Sequence, residues 1–208
     1  SVIPKFTMRA VQIVNETSHA LRIWQQRPDE YERPDRELMA ASVDLLAAVV
    51  EGLQEQGPEA IAKMNFLSIL PLALQENSSR TKQSGFWLWG SCTAHCMVPL
   101  SAILPQLIPF CVNGLGPSVS ITVNSNAAWA LSETSRKMPA EVNPHLGVLI
   151  PPLVAILQRK DGIDIKPWQR QGHGQLLRTV CFTLTNLRQY TALGEKWPTL
   201  YQQLPADL

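Results

Sequence analysis

Three groups of residues in this sequence could carry chemistry, and each suggests a different kind. Cys92, His95 and Cys96 put two thiols and an imidazole close together, the donor types that hold zinc when they converge. The two cysteines are spaced i, i+4 and would share a helix face, yet no second half-site follows at ligand spacing. Buried structural cysteines and no stoichiometric metal are therefore the expectation. The second group is a row of carboxylates, Glu37, Asp44 and Glu51, seven residues apart and followed by Glu55. Seven residues are close to two helical turns, so on a helix these groups line up and could pair with Lys or Arg of a ligand. A merely solvated face would look the same. The third is Trp129, which on a helix shares its face with Ile121, Ser125, Asn126 and Glu133. A large aromatic among polar groups either packs between helices or serves as an anchor for a binding partner.

This is the chemistry of recognition rather than of reaction. No phosphate loop, Gly-x-Ser-x-Gly or His-Glu-x-x-His is present, so neither enzymatic activity nor a cofactor is expected. With 17% charged residues, 45% hydrophobic residues and a net charge of +1, the chain reads as neither disordered nor a nucleic-acid surface. The four cysteines show no paired CxxC framework, which fits a reducing compartment and leaves the sequons at Asn15 and Asn77 without meaning. No signal peptide is visible. The longest apolar run, Leu146–Leu157, is too short to span a bilayer and contains Pro151-Pro152. A chain opening Ser-Val-Ile-Pro reads as a piece of something longer.

Helices must position all three groups. Apolar periodicity predicts a first helix over 4–25, ended by the proline-bounded linker Arg27–Pro34. The second starts near Pro34-Asp35, with Leu38, Ser42, Leu45, Val49 and Leu53 as its core stripe and the carboxylate row opposite. A third, kinked near Pro71, covers 59–76. The fourth opens at Ser79 or Arg80 and ends near Pro99; Phe86, Trp89, Thr93 and Met97 form its core, with Ser84, Trp87, Ser91 and His95 on the other face. A fifth covers 100–113, interrupted by Pro105 and Pro109. The sixth carries Trp129, with Ala128, Leu131, Ser135 and Met138 as its stripe. A seventh runs from Pro144 to about Gln158 and is followed by a polar loop to Gly174. The eighth, 175–190, puts Gln175, Thr179, Phe182 and Asn186 on one face, and a ninth begins at Leu193.

These helices alternate in kind. The third, fifth and seventh are apolar and proline-kinked; the second, fourth, sixth and eighth have two faces. The second-face residues Asp44, Ser91 and Trp129 stand 47 and 38 residues apart, and Phe182 follows after 53. Two helices per period of that length indicate an all-α fold: a right-handed α-solenoid of four to five antiparallel HEAT-type helix pairs, one segment over 1–208. Its two-faced helices would line a concave groove.

The segments Gln26-Arg27-Pro28-Asp29-Glu30-Tyr31-Glu32-Arg33-Pro34-Asp35 and Ala41–Leu53 resemble the C-terminal arch of the transportins, karyopherin-beta nuclear import receptors. Gln83-Ser84-Gly85-Phe86, the Pro109 helix, Ser125-Asn126-Ala127-Ala128-Trp129-Ala130-Leu131-Ser132-Glu133 and Leu176-Leu177 continue the likeness. The resemblance implies a receptor segment that binds extended basic or hydrophobic localisation signals ending in a proline-tyrosine motif. It also implies cargo release by the GTPase Ran at N-terminal repeats this chain does not match, nucleoporins as a further partner class, and shuttling between cytoplasm and nucleus. Asp44, Glu51, Ile121, Asn126 and Trp129 match positions that hold the upstream part of such signals. Ser91 replaces a family aspartate, Trp87 one turn before it is a candidate substitute contact, and Thr179 and Phe182 occupy contact positions beside Arg178. A HEAT-repeat scaffold or adaptor without transport function is the alternative; it would need the period and the stripes but not this site.

Overall fold

The computed structural model describes residues 3–53, 66–95, 100–158 and 167–202. Among them every regular element is helical. They fall in two compact units, Ser1–Ile103 and Leu104–Leu208.

In the first unit α1 (Ile3–Gln26) ends before Pro28, and α2 (Arg36–Leu53) begins where Asp35 Oδ1 accepts the Glu37 backbone N–H at 2.8 Å. After a 3₁₀ turn (Phe66–Ser68) come α3 (Ile69–Gln75) and α4 (Ser79–His95), the latter capped by Ser78 Oγ, which accepts the Thr81 N–H. α2 packs on α1 and α4, and α3 packs on α4 and α1. First helices of successive pairs thus touch first helices, and second touch second, as in stacked repeats. The core is built from Val14 and Leu21 of α1, Leu70 and Leu74 of α3, and Phe86 and Trp89 of α4, the last two stacked at 6.0 Å between ring centroids. A Cβ on Gly85 would stand 3.0 Å from Leu74 Cδ2 and 3.2 Å from Ala73 Cβ, so a bare backbone lets α3 lie close against α4.

The stripe expected for α2 is corrected here. Ser42 is buried as expected, but Leu38 and Leu45 are 52% and 41% exposed, and the buried apolar line is Met39, Val43, Leu46 and Val50, one residue further along. A shift of one residue turns the buried face by about 100°. Phe6 of α1 is likewise exposed.

The second unit repeats the plan. The expected interruption at Pro105 is present: a turn at Ala102–Ile103 separates helical Leu100–Ser101 from α5 (Leu104–Gly114), which carries Pro105 in its first turn, where no N–H is missed, and Pro109 inside. α6 (Ile121–Lys137) is capped by Ser120 and buries Ala128, Leu131, Ser135 and the following Met138, the expected stripe. A short helix α7 (Pro139–Val142) and a 3₁₀ turn (Asn143–His145) lead into α8 (Leu146–Leu157). Next come α9 (Pro167–Tyr190) and α10 (Leu193–Tyr201). α9 begins eight residues before the expected start, taking in Gly172 and Gly174. Contacts made by the folded chain outweigh weak local propensity here: a Cβ on Gly172 would lie in ordinary contact, 3.6 Å from Ile121 Cγ2. α6 packs on α5 and α9, and α8 on α5 and α9. By length and composition the stretch Pro139–Leu157 would suffice to cross a membrane, with mean hydropathy 1.4 over 19 residues. In the fold it is broken by the 3₁₀ turn, and α8 turns Leu149, Leu153 and Ile156 inward. The fold class is all-α, of the HEAT-repeat solenoid kind.

Candidate recognition surfaces

Second helices of neighbouring repeats are the elements on which the candidate residues sit, and their contacts are polar. In the first unit Arg80 pairs with Asp44, while Trp87 Nε1 and Ser91 Oγ both donate to Glu51 Oε1 at 2.8 Å. Partner numbers rise together along α2 and α4, so the two helices run parallel. The offset from Asp44 to Arg80 equals that from Glu51 to Trp87, 36 residues.

Four candidates therefore meet on this seam, but not as an open row of charges. Ser91 is 1% exposed; its hydroxyl proton is shared between Glu51 and the Trp87 carbonyl, 3.0 Å away. It acts by holding Glu51, not by facing a ligand. Trp87 is half-buried, with its indole N–H committed to the same carboxylate oxygen. Charge-assisted bonds of this kind fix a carboxylate in place more firmly than a surface ion pair does. Asp44 has one oxygen on Arg80, and the other is buried without a hydrogen-bond donor. Glu37, first of the row, is exposed, and Glu55 lies outside the described residues. Nearby, Arg36 and Glu76 form a largely buried ion pair at 3.6 Å, and Arg36 also lines an open cavity of about 430 Å³ with Arg33, Asp35, Glu37 and Ser78.

In the second unit the parallel pair is α6 and α9. Thr183 Oγ1 donates to the Ala128 carbonyl at 2.9 Å, and Asn186 Nδ2 to Ser132 Oγ at 2.8 Å. Asn124, wholly buried, ties α6 to the end of α5 through the Gly114 carbonyl (2.6 Å) and the Gly116 carbonyl (3.2 Å). With these groups spent on packing, the outward side of α6 carries Ile121, Ser125, Asn126, Trp129 and Glu133, all half-buried. That is the second face read from the sequence. Glu133 is paired to Arg136 on the same helix, which reduces its availability to an incoming cation. On α9, Thr179 is half-buried with its hydroxyl on the Gln175 carbonyl, and Phe182 is 58% exposed. Asn186, placed on the same face as Phe182 by periodicity, turns instead into the seam with α6.

Among the described residues no group of three His, Cys, Asp or Glu side chains could hold a metal. Cys92 is buried, His95 half-buried, and Cys96 lies outside the described residues. Burial pushes the Cys111 thiol up to about 12, and desolvation raises that of Cys181 as well, so neither is an activated nucleophile.

Arg80, the partner of Asp44, is the residue of this seam that sequence reasoning missed. Its signal was the constant 36-residue offset between parallel helices, which relates it to Asp44 as Trp87 is related to Glu51.

No protein-family model matches the chain. Among curated proteins it is 30% identical to human Transportin-1 over 151 residues, which is 73% of this chain and 17% of that protein. It is 29% identical to Transportin of Dictyostelium discoideum over 110 residues, 53% of this chain and 12% of that protein. With rice Transportin-1 the identity is 25% over 133 residues, covering 62% and 15%. Over more than half of its length the chain is homologous to the transportins, and what it matches is a small part of each.

Proposed function

We propose that this chain is a segment of a nuclear import receptor and binds an extended peptide signal that carries both basic and apolar side chains. The observation that carries this reading is the aromatic surface of the second unit. Trp129 stands half-buried on α6 and Phe182 exposed on the adjacent α9, on helices whose other sides are already filled. Aromatic side chains of this kind supply the anchors of recognition surfaces, and a guanidinium can also stack on their rings. Ile121, Asn126 and Thr179 lie on the same two helices, and on the first unit Glu51, held by neutral donors, keeps its negative charge for a basic side chain. A signal ending in a proline-tyrosine motif, release by Ran through repeats beyond this chain, and shuttling between cytoplasm and nucleus belong to the same proposal. In this reading the chain has no catalytic role and uses no cofactor.

The test is fluorescence anisotropy of a short labelled peptide in which Arg and Leu alternate, titrated with the chain. A peptide of the same length built from Glu and Ser is the control. Saturable binding of the first and none of the second is expected. If the chain binds neither, a scaffold that contacts only folded partners becomes the better reading.

A further inference from the structure

The carboxylate best placed to take a basic side chain is already occupied by one from its own fold. Arg80, in the first turn of α4, pairs with Asp44 of α2. Their side chains are unequally exposed, Arg80 at 45% and Asp44 at 20%. The arginine is thus the more exposed member of the pair. The Asp44 oxygen that Arg80 does not hold is buried and accepts no hydrogen bond, so it offers an incoming cation no second approach. Glu51 differs, because its clamps are a neutral indole and a neutral hydroxyl. Those donors leave the negative charge uncancelled, whereas Arg80 cancels that of Asp44.

We propose that Arg80 is a built-in competitor of the ligand: a specificity-determining residue that masks Asp44 and sets the chain against strongly basic segments in favour of apolar ones. The inference rests on the reading that the chain binds extended signals. An incoming Lys or Arg gains one exchangeable surface ion pair at Asp44 only by breaking an equivalent one, so the net gain there is close to nothing. Glu51 retains its attraction for a cation, and the aromatic surface of the second unit is indifferent to the exchange.

The experiment measures two labelled peptides, one alternating Arg and Leu and one alternating Ser and Leu. Each is titrated against the wild-type chain, Arg80→Ala, Asp44→Asn and the double variant, at low and at high salt. Arg80→Gln is run in parallel, with circular dichroism as the check that each variant is folded. Removing Arg80 should strengthen binding of the Arg peptide by up to about fivefold at low salt, the gain fading at high salt. The Ser peptide should be unaffected. Asp44→Asn alone should change little, and in the double variant the gain should vanish. A gain that survives in the double variant would reflect net charge alone and overturn the proposal. So would wild-type binding that is unchanged in both Arg80 variants, which leaves the signal-binding reading intact. If no variant binds either peptide, both the masking and that reading fail.

Discussion

Replacing Trp129 by alanine separates an anchor from a packing residue, because the same fold contains a tryptophan of each sort. Trp89 is wholly buried against Phe86 and belongs to the core, whereas Trp129 keeps part of its indole in solvent. A peptide that removes about 80 Å² of apolar surface from water, counted on the indole and on itself, would gain about 2 kcal/mol at 25 cal/mol per Å². That corresponds to a loss of about thirtyfold in affinity for Trp129→Ala. The cost to folding should be about 1–2 kcal/mol, since the stripe Ala128, Leu131 and Ser135 that holds α6 in place is untouched. Trp89→Ala should cost about 3–5 kcal/mol, as emptying a filled core site does. Urea unfolding of both variants, alongside peptide anisotropy at a concentration where each remains folded, gives the two numbers. A stability loss for Trp129→Ala as large as that for Trp89→Ala, with peptide affinity unchanged, would refute the reasoning and make Trp129 a packing residue.

Asn124→Ala should destabilise the second unit by about 1–3 kcal/mol in urea unfolding, because it removes the buried donor that holds the Gly114 carbonyl at the end of α5. Ser91→Asp should lower the melting temperature rather than improve binding of basic peptides: the new carboxylate would be buried against Glu51, where like charges repel. The buried Cys111 thiol keeps its proton up to about pH 12 when folded, against an ordinary value of 9.0. The unfolded chain releases that proton first, so this contribution is complete below pH 9 and is lost from there towards pH 12, at about 1.4 kcal/mol per unit. Cys111→Ala should therefore have a shallower decline of stability with pH over that interval in urea titrations.

The sequence by itself determined the elements and their order. Proline-bounded linkers, helix-capping residues and apolar periodicity act within a few residues, so the helices could be read without knowing what they pack on. The α6 stripe and the half-exposed face of Trp129 were legible for the same reason, since only one side of that helix is apolar and small. α2 offers two lines, Leu38/Leu45 and Met39/Val43/Leu46/Val50, both apolar and one residue apart. Local pattern cannot choose between them; the neighbours α1 and α4, distant in sequence, bury the second. The inclusion of residues 167–174 in α9, against two glycines, was likewise settled by tertiary packing, α9 lying along α6. The state of the carboxylate row also depends on tertiary structure. Its alignment on one helix follows from the seven-residue spacing, but whether each charge is free depends on what stands across the seam. Arg80 neutralises Asp44, and Trp87 and Ser91 pin Glu51, because α2 and α4 run parallel at a register that only the packed repeats fix.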